Sequence, residues 1–310
     1  MADPAGISNF ADANTIFREA VSSVFSEAPP GVAANFCDID ASFSGKDYEL
    51  DVLLSFPQFR EWIGERQRKS LRAAAKREPL KTYEMSIQVP RRHVEYDNLN
   101  VFTQNINRWL GGGDWLDQVI VPQLLANTAT GYDGSALLAN SHAWSNSTGD
   151  NLTTDALSFA SYQAAREAMG DFQDEDGKPT PFRPTHLLVG PELERTALEV
   201  TGSLRPVPVS NAGALDATSN VVAAVNLENY IGDAAVLVSP RITASQWFVM
   251  DLSRAGIRPF YCGVGRNPTA MPPSEDDFYK REKDMLDYFT YYDMAVVVGE
   301  WRCIYGSVTA

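Results

Sequence analysis

An α+β fold is what this sequence predicts, and three observations predict it. Apolar residues recur at three- and four-residue spacing over 101–127 and again over 158–172, the period of helices with one buried face. They alternate at Tyr83, Met85, Ile87 and Val89, the period of a half-buried strand. Beyond residue 180 short apolar runs alternate with turn residues, and no repeat of about 20–50 residues is present.

The elements follow in order. Residues 1–35 form an arm, with a short amphipathic helix between Ile7 and Phe25 that Pro29, Pro30 and Gly31 break. Residues 36–56 hold one or two strands around the turn Ser44-Gly45-Lys46. A strand runs from Lys81 to Val89 and stops at Pro90. The helical stripe over 101–127 is interrupted by Gly111, Gly112 and Gly113, so it bends or divides. A Gly-, Asn- and Ser-rich loop spans 130–154, and a helix spans Ser158 to Phe172. His186–Val189 is a short buried strand and Glu192–Val200 a helix. Val221–Val225, Ala235–Val238, Gln246–Met250 and Pro259–Cys262 are further strands, and Pro268, Pro272 and Pro273 mark a surface loop. The tail carries strands at Tyr288–Tyr292, Ala295–Val298 and Trp301–Tyr305.

Composition excludes several classes. Hydrophobic residues make up 44% of 310, enough for a large core, and 21% charged residues are too few for a disordered chain. A net charge of −14 repels nucleic acid in bulk. No apolar run reaches the roughly 18 residues of a membrane span, and the N-terminus lacks the pattern of a signal peptide. Cys37, Cys262 and Cys303 are odd in number and form no CxxC pair, which suits a reducing compartment. The sequons at Asn146 and Asn151 then carry no glycan.

The motifs of catalysis fail one by one. Gly111-Gly112-Gly113 leads into Asp114 and Trp115 rather than a Lys-Ser or Lys-Thr pair, so no phosphate loop is built. Asp174-Glu175-Asp176-Gly177 would need an acid at Phe172 and at Arg183 to bind calcium, and reads as a solvated turn. His93, His142 and His186 stand too far apart in sequence for a two-histidine metal motif. No G-x-S-x-G elbow exists, and the cysteines sit among apolar neighbours as core residues. No cofactor, metal or catalytic residue is assigned.

Interaction chemistry stands out instead. Arg60, Arg66, Arg68, Lys69, Arg72, Lys76 and Arg77 face only Glu61 and Glu65, a net +5 within a chain of −14. With Trp62 they form a candidate contact surface. Three readings stand: a nucleic-acid contact, docking on an acidic face of a neighbouring copy, or a solvated basic helix. The candidate strands Glu49–Leu54 and Tyr83–Val89 flank this excursion and give it the shape of a two-stranded arm, which needs another subunit for stability.

Six segments in fixed order then resemble one family. They are Arg60-Glu61-Trp62-x-Gly64-Glu65-Arg66; Lys81 to Glu84 with Ile87 to Val94 and Glu95-Tyr96-Asp97; Tyr132-Asp133-Gly134 with Leu137-Leu138 and Ser141-His142; Phe172-x-Asp174-Glu175-Asp176-Gly177-x-Pro179 with Arg183-Pro184 and Leu187-Leu188-Val189; Val238-Ser239-Pro240-Arg241-Ile242; and Trp247 to Asp251 with Arg258-Pro259-Phe260. The series resembles the major head subunit of Mu-like tailed phages over roughly residues 58–305. The resemblance implies the Hong Kong 97-type capsid fold. It places an N-terminal arm at 1–35, strands and an extended loop at 36–88 (the loop about 56–88), a peripheral domain at 89–179 with 276–310, and an axial domain at 180–275. The spine helix of the peripheral domain falls on 101–127.

The function so implied is structural. Copies assemble in the bacterial cytoplasm as hexamers and pentamers of an icosahedral virion shell, with separate scaffolding, portal and decoration proteins. Double-stranded DNA fills the lumen without specific binding, and no membrane takes part. Two alternatives are a shell enclosing cargo enzymes and a hydrolase built on His142 with Asp133. The chain departs from the family at 203–220 and in its triple glycine, and no lysine–asparagine crosslink is assignable to Lys69 or Lys76.

Overall fold

Two sheets share one apolar core. The computed structural model describes residues 13–19, 22, 31–54, 61, 73–90, 114–143, 148–180, 182–202, 233–242, 245–272 and 285–308. The first sheet has the order β1 (Cys37–Asp40), β11 (Phe260–Met271), β12 (Met285–Val298), β4 (Lys81–Pro90). The second has the order β7 (Leu152–Thr153), β13 (Ile304–Ser307), β10 (Trp247–Met250), β8 (His186–Val189), β9 (Ala235–Val238). β2 (Asp47–Leu53) pairs with β3 (Ala73–Pro79), and the two-residue β5 (His142–Ala143) with β6 (Thr148–Gly149).

Among the described residues, three helices with defined ends pack on this frame. α1 spans Trp115–Ala126, α2 Phe159–Asp171 and α3 Glu194–Val200. α1 buries Leu116, Asp117, Val119, Ile120, Val121 and Leu124, more of its circumference than an amphipathic surface helix does. Pro122 removes one hydrogen bond inside it. Asn127 ends it in the left-handed region at φ 47°, and its amide clamps Leu138 through both backbone groups at 2.7 and 3.0 Å. α2 starts on a capping box: Ser158 Oγ accepts the Ser161 amide at 3.1 Å, and Ser161 Oγ accepts the Ser158 amide at 2.8 Å. Trp115 and Tyr83 meet Tyr292 with ring centroids 5.1 and 5.2 Å apart, which seats α1 on the first sheet.

Much of the local reading holds. β4 has Tyr83, Met85, Ile87 and Val89 half-buried, with Glu84, Ser86 and Gln88 exposed. β8, β9 and β10 fall where their apolar runs stand, and α2 buries Tyr162, Ala165 and Met169. Of the helical stripe expected over 101–127, a helix over 115–126 is observed and 101–113 lies outside the described residues. The expected strand Val221–Val225 lies outside them too.

Three expectations are corrected. β2 pairs with β3 and not with Tyr83–Val89, which pairs with β12 instead. The two flanking strands therefore do not form one arm; residues 73–79 supply the partner, because β2 lies antiparallel to them from Asp47↔Pro79 to Leu53↔Ala73. The tail segments Tyr288–Tyr292 and Ala295–Val298 are one 14-residue strand, while Trp301–Cys303 is a 3-10 turn before β13. Pro268 is not in a loop: β11 continues to Met271, with register shifts between Val264/Arg266 and Arg266/Thr269 that accommodate the proline.

The N-terminal segment touches the rest of the chain at two described points. Phe17, in a helical stretch over 13–19, is fully buried against Tyr288 with ring centroids 4.9 Å apart. Further on, the Asp117 carboxylate accepts the amides of Val32 at 3.0 Å and Ala33 at 2.6 Å. Gly31 allows this at φ +70°, since a Cβ there would lie 2.5 Å from Asp117 Oδ1.

Candidate assembly surface

Polar interior nodes and open exterior edges divide this molecule's chemistry. The largest node gathers the Tyr132-Asp133-Gly134 segment, His142, Asn151 and the Trp301 corner. His142 Nδ1 lies 2.6 Å from Asp133 Oδ2 and Nε2 lies 3.1 Å from Asn151 Oδ1. The Asn151 amide is oriented by its own bonds: Nδ2 donates to the carbonyls of Leu137, Trp301 and Ile304 at 2.9, 3.1 and 3.2 Å. Its Oδ1 accepts the Ala139 amide at 2.8 Å. The imidazole stacks on Trp301, centroids 4.1 Å apart and planes within 1°.

Electrostatics support the same role. Burial raises the Asp133 pKa, but the hydrogen bond and charge of His142, with the backbone amides of Ser135 and Asp133 itself, hold it below the ordinary carboxylate value. Burial pushes Glu300 the other way, although the Arg302 charge and bonds from Arg302 and the Tyr132 hydroxyl oppose it. His142 is 0% exposed, with both nitrogens engaged, so it offers a substrate neither a route nor an open atom. The hydrolase alternative is thereby corrected: the pair is real and it is structural.

Other family-like segments also do internal work. Arg241 reaches Asp114 ahead of α1 with bonds of 3.1 and 2.5 Å. Asp251 accepts the amides of Arg183 and Ser253, each at 3.0 Å. In the Asp174–Gly177 turn, Asp174 Oδ1 accepts the amides of Asp176 and Lys178, and Gly177 takes φ +73°.

Outside, three features face outward. β4 is a ten-residue edge strand, paired with β12 on one side and with no strand on the other among the described residues. Met271 and Phe289, directly opposite each other across β11 and β12, are 49% and 38% exposed. A shallow groove lies between β4, β12 and α1, lined by Tyr83, Met85, Trp115, Val119 and Tyr292. Long open edges and exposed apolar pairs are liabilities that a partner chain covers.

The sequence-selected contact residues divide. Arg60, Trp62, Arg66, Arg68, Lys69 and Arg72 lie outside the described residues. Lys76 and Arg77 lie in β3, and both find partners in their own chain. Lys76 Nζ donates to Thr130 Oγ1 at 3.1 Å and lies 3.3 Å from Glu78. Arg77 meets its cross-strand neighbour Glu49 at 2.5 Å. Sequence reasoning missed Asn151, Asn127, Asp117 and the Met271–Phe289 pair. Among the described residues no group of three or more His, Cys, Asp or Glu side chains converges to hold a metal, and no helix is long and apolar enough to cross a membrane.

Known proteins share this architecture. A procapsid chain of bacteriophage JBD30 superposes with TM-score 0.52 at 19% identity, covering 100% of this chain and 77% of that one. The virus-like particle from Pyrococcus furiosus gives TM-score 0.53 at 8% identity, covering 94% and 97%. A chain of Mycobacterium phage Adephagia gives 0.50 at 13%, covering 90% of each. No curated protein matches by sequence. The fold is the Hong Kong 97-type shell fold. The model of the phage capsid protein family matches residues 76–307, and the chain belongs to that family. It is a virion capsid protein and not an enzyme.

Proposed function

We propose that this chain is the major head subunit of a Mu-like phage, packed as hexamers and pentamers into an icosahedral shell around double-stranded DNA. The observation that carries the reading is the capsid family match over residues 76–307, three quarters of the chain, on a fold whose β4 edge and Met271–Phe289 pair face outward. The ordered segments of the sequence support the Mu-like branch. The net charge of −14 keeps packaged DNA from adhering to the wall.

Within the shell, residues 1–35 act as arm, about 56–88 as extended loop, 89–179 with 276–310 as peripheral domain and 180–275 as axial domain. The cations Arg60, Arg66, Arg68, Lys69 and Arg72, with Trp62, dock on an acidic face of the neighbouring copy. Scaffolding, portal and decoration proteins are separate chains. The test is negative-stain electron microscopy of the purified protein at rising concentration. Closed shells or capsomers of uniform diameter are expected; a monodisperse monomer at every concentration overturns the reading.

A further inference from the structure

Two cysteines more than two hundred residues apart in sequence meet in the first sheet. β1 runs parallel to β11 with Cys37 opposite Phe260 and Ile39 opposite Cys262. Cys37 and Cys262 are therefore two positions apart in register, on one face of the sheet, where side chains alternate with period two. Their Sγ atoms lie 2.6 Å apart, inside ordinary sulfur contact and close to the bonded separation of about 2.05 Å. Both are free thiols, 4% and 0% exposed. The third thiol, Cys303, is engaged elsewhere: its Sγ donates to the Glu300 carbonyl at 2.8 Å.

We propose that Cys37 and Cys262 form a disulfide site, open while the chain is held among reducing thiols and closed when it meets a low-molecular-weight disulfide. One cysteine loses its proton and attacks a sulfur of that oxidant, breaking its S–S bond and expelling one thiol. The second cysteine, losing its proton in turn, attacks the mixed disulfide and expels the other thiol. The two cysteine protons end on the two departing thiols, the oxidant gains two electrons, and one protein S–S bond forms. Burial, and next the hydrogen bond and charge of Cys262, push the Cys37 thiol well above its ordinary range, so closure is slow at neutral pH and faster in mild alkali.

The bond would staple an edge strand to an interior one. β1 sits at the margin of its sheet, and the arm joins the body just ahead of it. A covalent link at residue 37 stops tension on the arm from peeling β1 off β11. It also closes a very long loop, the case in which a crosslink restricts the unfolded chain most.

The test treats the purified chain with glutathione disulfide at pH 8, alkylates remaining thiols after denaturation, and maps peptides by mass without reduction. A Cys37–Cys262 crosslinked peptide is expected, with Cys303 alkylated. The oxidised protein should melt about 5 °C or more above the reduced one. That shift should vanish with dithiothreitol and in either Cys37→Ala or Cys262→Ala, and survive in Cys303→Ala. Full alkylation of Cys37 and Cys262 in the folded wild-type chain after oxidation overturns the proposal, as does pairing through Cys303; a mapped bond with no melting shift overturns the stapling role.

Discussion

Asn151 ties together more of the loop over 130–154 than any other described side chain in it. Its amide links Ala139 and Leu137 on one side of the loop to Trp301 and Ile304 near the second sheet, and it faces His142 as well. Removing it leaves several buried backbone groups without partners, each worth about 1–3 kcal/mol. Asn151→Ala should destabilise the unassembled subunit by about 3 kcal/mol or more, measured by urea denaturation. Asp133 adds a pH signature. Its folded pKa is depressed below the unfolded value near 3.8, so its contribution is present above that value and lost as pH falls through the folded one. Glu300 is shifted upward and runs in the opposite sense, so a mutant difference isolates Asp133. The stability gap between wild type and Asp133→Asn should be level above about pH 5 and shrink below about pH 4. The sequence offered His142 with Asp133 only as a minor hydrolase alternative, and the structural reading it preferred for His142 fits the buried pair. Spacing reveals neighbours but not exposure, and Asn151 in a polar loop carries no signal that it is buried.

β3 shows why elements misread. Ala73-Ala74-Ala75-Lys76-Arg77-Glu78 is helical by intrinsic propensity, yet it folds as a strand because β2 presents a complementary edge, with Glu49 set against Arg77. The same partner effect carries β11 through Gly263, Gly265 and Pro268, residues that punctuate the sequence as turns. Strands with clean alternation, such as β4, needed no such help. The contact of Asp117 with residues 32 and 33 is testable at this scale. Asp117→Ala frees the amides of Val32 and Ala33, and Gly31→Ala meets both a positive φ and the Asp117 carboxylate. Either change should expose Arg18 to trypsin several-fold faster than in wild type, followed by mass spectrometry, with the body of the protein still resistant. Equal cleavage rates would show that Asp117 does not hold the N-terminal segment in place.

At the scale of the molecule, several sheet neighbours come from distant parts of the chain. β1 lies on β11 and β7 on β13, pairings that no local periodicity announces. What carried the fold in the sequence was the order of six weak segments rather than the strength of any one. The core also joins the sheets, since Phe260, Cys262, Met294 and Val298 of the first share a cluster with Leu187, Phe248, Val249 and Ile304 of the second. Calorimetry of the unassembled subunit should therefore give one cooperative transition. Two resolved peaks would mean the sheets melt apart. Assembly itself should respond to charge: Arg66→Glu, Arg68→Glu and Arg72→Glu together should abolish particles while circular dichroism and melting stay as in wild type. Normal shells from that triple variant would remove the basic segment from the assembly surface.

β13 has a consequence for biosynthesis. It sits between β7 and β10, and its residues leave the ribosome after every other strand of that sheet. A translation product interrupted before residue 304 lacks an internal strand, so the flanks of β7 and β10 stay uncovered and the core cannot close. Such a fragment is marked by its own topology: it carries two raw strand edges where the finished chain has a continuous sheet.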